Sequence, residues 1–129
     1  MQISDSHIVG QLHIDLTMPS PGALRVDWSG RSNERDPQRV LAPIFDEALA
    51  RAAMAEAPIE MHFERLEQFN SSTITALIGF VRHAHSEGVP LTLFYDASVR
   101  WQALSFEALR VFERPDGLLT LKPVEQSQS

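Results

Sequence analysis

The chain has 129 residues, 43% hydrophobic and 22% charged, a length and balance that suit one soluble domain with its own core. Its formal net charge of -6 leaves no basic face to displace phosphate counterions, which argues against sequence-independent nucleic-acid binding. The absence of cysteine excludes disulfides, thiolate metal sites and cysteine nucleophiles, and it fits a cytoplasmic protein.

The opening stretch MQISDSHIVGQLHIDL lacks a basic region followed by an apolar one, so no signal peptide is expected. No apolar run approaches the roughly 20 residues that span a bilayer, so no membrane insertion is expected either. The segment QLHIDLTM alternates Leu12, Ile14 and Leu16 with His13, Asp15 and Thr17, the period of a half-buried strand. After a PSPG turn signal, Leu24, Val26 and Trp28 alternate with Arg25 and Asp27, and the two segments read as a hairpin.

Asp36 followed by Pro37 can open a helix, with Asp as cap and Pro at the first helical position. Val40, Leu41, Ile44, Phe45, Ala48, Leu49 and Ala52 continue it at helical spacing. Pro43 removes an interior hydrogen bond, so the helix either bends there or begins near Ala42.

Ile59, Met61 and Phe63 then alternate with Glu60, His62 and Glu64, a third strand. A second helix carries Ile74, Leu77, Ile78 and Val81 and ends at EGVP. LTLFYD is a fourth strand, apolar enough to be central. Trp101, Leu104, Ala108, Leu109 and Phe112 form the face of a third helix, RPDG is a turn, and LLTLK is a short last strand.

The order is β-β-α-β-α-β-α-β: a mixed five-stranded sheet whose helix-linked strands run parallel through right-handed crossovers, with the first strand antiparallel to the second. Arg25, Asp27, Glu60, His62 and Glu64 occupy off-core positions, so one sheet face is wet and the helices lie mainly on the other. This predicts a two-layer α/β domain over residues 1–123 with a polar tail at 124–129.

In such a sheet the loops after parallel strands gather at one edge, where ligands and partners bind. Three loops meet there: SGRSNERD, EQFNSS and YDASVRW. The middle one leads into Ser71, Ser72 and Thr73, just before a helical apolar pattern. Asn70, Ser71 or Ser72 can cap that helix by accepting a hydrogen bond from its first turn. Ser71 can also be a phosphorylation site, because a helix N-terminus tolerates the added charge. The two roles are compatible when neighbouring side chains divide them.

Arg31 and Arg100 sit in the flanking loops and suit phosphate oxygens, though each singly reads as a solvated charge. His83 and His85 are two apart on a helix and point to different faces, so they do not share a metal. His62 between Glu60 and Glu64 admits a metal or acid–base cluster, but a polar exposed sheet face accounts for the same residues. Trp101 reads as core, or as an anchor facing a partner. No Gly-rich phosphate loop, HExxH or GxSxG stretch is present.

FNSSTITALIGFVRHAHSEGVPLTLFYDASVRWQALSFEALRVF resembles the second half of STAS domains, the fold of sulfate-transporter tails and anti-sigma-factor antagonists. There a strand leads into Asp-Ser-Ser-Gly-Leu; the matching residues here are Asn70, Ser71, Ser72, Thr73 and Ile74. GRSNERDPQRVLAPIFDEAL followed by FERLEQFNSS is similar to the SiaC-like biofilm-regulating phosphoproteins, which carry a Gly-x-Ser segment and a Phe-Asn-Thr-Ser-Ser motif. Phe69 and Asn70 favour this narrower group, and the similarity runs from about Gly30 to Phe112.

The resemblance implies a STAS-like sandwich and a signalling switch without enzymatic activity or cofactor. It implies Ser71 as phosphoacceptor; Ser72 is a candidate secondary acceptor, and Phe69, Asn70, Thr73, Arg31, Ser32, Arg100 and Trp101 are candidates for meeting the kinase or partner. It implies a GHKL-type serine/threonine kinase, a PP2C-type phosphatase and a downstream effector such as a diguanylate cyclase. Serine replaces the usual threonine at the acceptor, Thr73 replaces a serine or glycine, and NERD differs from the expected Tyr/Phe-Pro-Glu-Asn. Alternatives of other classes are an anti-sigma-factor-antagonist-type regulator, a constitutive interaction module in which Ser71 is only a cap, and a small enzyme using Glu60, His62 and Glu64.

Overall fold

The computed structural model describes residues 3–18, 22–113 and 116–125. Within them one sheet holds six strands in chain order: β1 (Ile3–Val9), β2 (Leu12–Met18), β3 (Leu24–Ser32), β4 (Ile59–Phe69), β5 (Leu91–Asp96) and β6 (Leu119–Val124). The first three strands pair antiparallel, and β3 to β6 pair parallel. Helices α1 (Pro37–Ala55), α2 (Ser71–Ser86) and α3 (Arg100–Ala108) make the crossovers, and α3 runs on into a 3-10 turn at Leu109–Phe112.

The sheet therefore has one strand more than the five expected. The addition is β1, and its pattern explains why alternation did not reveal it. Asp5, His7 and Val9 pair with Leu16, Ile14 and Leu12, so they share the core face of the sheet. Two of these three positions are polar, while Ile8 on the opposite face is exposed. The inward polar groups face α1: Arg51 bonds Asp5 at 2.6 Å and Glu47 at 2.7 Å. Ion pairs replace apolar contacts at this sheet edge, and the binary pattern disappears with them.

The core lies between the sheet and the helices. Leu12, Ile14, Leu16, Leu24, Val26, Trp28, Ile59, Met61, Phe63, Leu91, Leu93 and Tyr95 are the inward set of alternate residues. Trp28 packs on Phe45 of α1 at 6.0 Å and on Phe63 at 4.9 Å, Phe45 packs on Phe80 of α2 at 4.6 Å, and Phe63 packs on Phe106 of α3 at 4.8 Å. All three helices thus share one face of the sheet, the two-layer arrangement. Each such aromatic contributes about 1.5–3 kcal/mol by leaving water. The other face carries Asp15, Arg25, Asp27, Glu60, His62 and Glu64.

Helix α1 runs unbroken from Pro37 through Pro43, with Pro37 in its first turn and Pro43 on the exposed side. Asp36 precedes it without making a side-chain cap bond, so proline rather than the expected aspartate cap sets this start. In α3 the buried residues are Gln102 and Phe106, followed by Leu109. Leu104, expected on the core face, is 66% exposed. The apolar pattern misassigned that face because its most buried member is an amide.

Pro19, Ser20 and Pro21 of the expected first turn, Arg114 and Pro115 of the second, and tail residues 126–129 lie outside the described residues. No helix among the described residues is long and apolar enough to cross a membrane.

Candidate functional site

The edge where β3, β4 and β5 end is shaped first by a glycine. Gly30 has φ +84°, and a Cβ there would stand 2.1 Å from the Gln11 carbonyl oxygen. That carbonyl accepts a hydrogen bond from the Arg31 amide at 3.1 Å. Glycine therefore lets the β1–β2 turn press against β3, in a conformation L side chains avoid. The pairing carries β3 on to Ser32, opposite Phe69 at the end of β4.

Asn70 follows, and its side chain joins three segments. Its Oδ1 accepts from the Thr73 amide at 2.9 Å and from Thr73 Oγ1 at 2.8 Å. Its Nδ2 donates to the Glu34 carbonyl at 2.9 Å, and its backbone amide donates to the Ser32 carbonyl at 3.1 Å. Thr73 Oγ1 and Ser32 Oγ lie 2.8 Å apart. The Asn70 oxygen has no hydrogen to give, so Thr73 spends its one proton there and Ser32 must donate to Thr73. Asn70 is the cap of α2, and the loop before α1 is tied to it.

This knot sorts the consecutive hydroxyls. Thr73 is 0% exposed and Ser32 1% exposed. Both were expected at the partner surface; both are interior, because the Asn70 cap needs a buried donor and that donor needs one in turn. Ser71 and Ser72 are exposed, and among the described residues their hydroxyls have no hydrogen-bond partner. Asn70 also engages the Thr73 and Ile74 amides through its carbonyl. Among the described residues the amides of Ser71 and Ser72 have no hydrogen-bond partner, and they stand at the positive end of the α2 dipole.

The third loop joins through aromatic contacts and one amide. Half-buried Phe69 meets Trp101 edge-on at 5.0 Å and Phe106 at 5.7 Å. Beyond His62, β4 no longer pairs with β5. Gln102 fills the gap: its Nε2 donates to the carbonyls of Phe63 and Leu66 at 2.8 and 2.9 Å, and its Oε1 accepts from the Asp96 amide at 2.7 Å. Sequence reasoning missed Gln102, since a lone glutamine in a helix carries no signal.

No protein-family model matches this sequence, and neither does any curated protein. Solved structures do match across nearly the whole chain. SiaC of Pseudomonas aeruginosa superposes with a TM-score of 0.63 at 19% identity, covering 96% of this chain and 99% of that one. A chain from the crystal structure of the diguanylate cyclase SiaD in complex with its activator SiaC, from the same organism, superposes with a TM-score of 0.63 at 20% identity, covering 93% and 99%. The anti-sigma factor antagonist SpoIIAA in its unphosphorylated form matches with a TM-score of 0.50 at 13% identity, covering 98% and 91%. The chain has a STAS-like fold.

Within this STAS-like domain, Arg31 is exposed and its Nε lies 3.3 Å from Glu67 Oε1, a solvated pair worth little to stability. Arg100 is exposed at the first residue of α3 and has no partner among the described residues. Trp101 is half-buried, with one edge on Phe69.

The Glu60, His62 and Glu64 cluster also forms on the open sheet face. His62 Nε2 lies 3.3 Å from Glu60 and Nδ1 3.2 Å from Glu64, and the ring stacks flat on Phe94 at 4.2 Å. The ring is thus held between two carboxylates, one beside each nitrogen. His83 and His85 face different acids, Glu87 and Asp116.

A group the sequence did not single out is Asp5, His7 and Glu47, whose ligand atoms lie within 4.8 Å of one another. The Arg51 guanidinium already bridges the two carboxylates there. Glu47 beside it, and then the charge of Arg51, hold Asp5 below the usual carboxylate range.

Proposed function

We propose that this domain is a non-enzymatic switch protein whose partner binding is controlled by reversible phosphorylation of Ser71. The observation that carries the reading is the division of roles at the start of α2. Asn70 supplies the cap and Thr73 is buried, while the Ser71 hydroxyl stands exposed and unengaged at the first helical residue. A residue needed for capping cannot be modified without cost to the helix; Ser71 is not so needed.

A phosphate there adds about 1.5–2 negative charges beside two unengaged helix amides. The helix is retained, and the change falls on the surface. A partner shaped for a neutral hydroxyl then meets a strongly hydrated anion and must desolvate it to dock. Arg31, near the end of β3, and Arg100, at the first residue of α3, belong to the flanking segments, and Trp101 and Phe69 supply an apolar patch there.

The SiaC of the solved complex is named as the activator of a diguanylate cyclase, and SpoIIAA as an anti-sigma factor antagonist. These names support a partner-binding regulator of the STAS type. On this reading the partners are a cognate GHKL-type kinase, a PP2C-type phosphatase and a cytoplasmic effector, with a diguanylate cyclase the favoured class. Ser72, exposed beside Ser71, is the secondary acceptor.

The test is affinity capture with wild type, Ser71→Ala and Ser71→Asp, together with phosphopeptide mapping. Ser71→Ala is expected to retain the partner and lose the label, and Ser71→Asp to lose the partner. A principal label on any residue but Ser71, or equal capture by all three forms, would overturn the proposal.

A further inference from the structure

The two edges of the sheet are built differently. β6 carries Lys122 and Pro123 at exposed positions. Lysine and proline are residues that keep an edge from pairing with another chain. β1 is seven residues long, ISDSHIV, and contains neither. Its pairing to β2 runs from Ile3 to Val9 without a shift, so no bulge interrupts it. Among the described residues no strand lies on its outer side. A regular edge of this kind is a template for a further strand.

The register shows which backbone groups that edge presents. The Gln11 carbonyl accepts from Arg31 of β3. Successive residues of a strand direct their backbone groups to opposite sides, so those of Leu12, Ile14 and Leu16 point to β1. Their partners there are Val9, His7 and Asp5. The N–H and C=O groups of Ser4, Ser6 and Ile8 therefore point outward.

We propose that β1 pairs antiparallel with β1 of a second copy of this chain, centred on Ser6, so that one sheet continues across a two-fold axis. Outward groups must meet outward groups, so Ser6 can face Ser4, Ser6 or Ile8 of the second copy. Facing Ser4, it sets Asp5 against Asp5. Facing Ile8, it sets His7 against His7. Facing Ser6, it pairs the strand over its full length and sets Asp5 against His7 on both sides of the axis. An imidazole can donate to a carboxylate, whereas like charges directly opposite are destabilising. These are non-hydrogen-bonded pairs, where side chains stand closest. The side chains of Asp5 and His7 are 44% and 28% exposed, so a second strand can reach both. Ile8, 66% exposed on the open face, gains cover from that strand. The self-matching order of Asp5, Ser6 and His7 is what selects a second copy as the occupant. None of these residues belongs to the edge around Ser71, so the dimer and the switch stand or fall separately.

The full chain has no cysteine, which makes single thiols clean probes. Ser6→Cys places two sulfurs across the axis with Cα atoms about 5.5 Å apart, within disulfide range. Mild oxidation should give a covalent dimer. Ile8→Cys should not, because the two copies of position 8 lie about 13 Å apart along the strands. Sedimentation equilibrium of the wild type should show a molar mass that rises with concentration toward that of two chains. Ser6→Pro removes the outward N–H at the centre and keeps the bonds to β2; it should weaken association by about ten-fold or more. If that variant does not fold, hydrogen exchange of the wild type replaces it: the Ser6 and Ile8 amides should be protected at high concentration and exchange on dilution. A monomer mass throughout, no disulfide or equal disulfide formation at positions 6 and 8, unchanged association of Ser6→Pro, or outward amides that exchange alike at both concentrations would overturn the assignment.

Discussion

Replacing Asn70 by alanine tests the division of roles at the start of α2. The change removes the acceptor of the Thr73 amide, a loss of about 1 kcal/mol for a helix cap. It also strips the acceptor from Thr73 Oγ1, which is 0% exposed and cannot turn to water. A buried hydroxyl left in that state costs about 1–3 kcal/mol. The Glu34 carbonyl loses its donor as well. The sum is about 2–4 kcal/mol, well above the effect of about 0.5 kcal/mol or less expected when Ser71→Ala removes an exposed, unengaged hydroxyl.

Asn70→Asp separates the contributions. It keeps the acceptor and adds a charge that the helix dipole favours by about 0.3–1 kcal/mol, but it loses the donor to Glu34. It should therefore fall between the other two. Urea unfolding at equilibrium reads all three. With slopes of roughly 1–3 kcal/mol per molar, Asn70→Ala lowers the midpoint by about 1 M or more, and Ser71→Ala barely moves it. Equal midpoints for the two alanine variants, or a larger fall for Ser71→Ala, would refute the assignment of the cap to Asn70.

Other parts of the molecule yield expectations of the same kind. Gln102→Ala leaves two strand carbonyls and the Asp96 amide without their partner, and should cost about 3 kcal/mol or more by the same denaturant assay. Glu56 closes α1 with φ +52°, a conformation glycine adopts freely; Glu56→Gly should raise stability by about 1 kcal/mol in thermal unfolding.

Tyr95 is the one tyrosine of the chain, and burial, reinforced by Glu107, holds its phenol above the ordinary 10.0. The folded state thus favours the neutral form. The resulting stability is present below pH 10 and is lost as pH rises through the folded value, because the unfolded chain ionises first. An ultraviolet titration of the native protein should show a single phenol titrating above its ordinary value, and Tyr95→Phe should remove that part of the alkaline loss.

Several features were legible from local pattern alone. Alternation over Leu12–Leu16, Leu24–Trp28 and Ile59–Phe63 assigned strands and their inward faces, and the polar residues between marked the open face of the sheet. The helix-linked strand order placed the Ser71 segment at the edge where the loops gather. Periodicity can do this because it reports which side of an element meets the core, and that property belongs to the element itself.

What the tertiary structure decided involves partners far away in sequence. Thr73 is buried because Ser32, 41 residues earlier, donates to it. The polar face of β1 is inward because Arg51, 46 residues later, bonds Asp5. Gln102 is core because carbonyls 39 and 36 residues before it lack a strand. Arg65 joins Glu64 on the open face because a bulge opposite β3 breaks the alternation of β4. Hydrogen bonds are satisfied one atom at a time between surfaces that only folding brings together. Composition and spacing showed where polar groups stand, and the packed chain determined which of them are paired in the interior and which remain exposed.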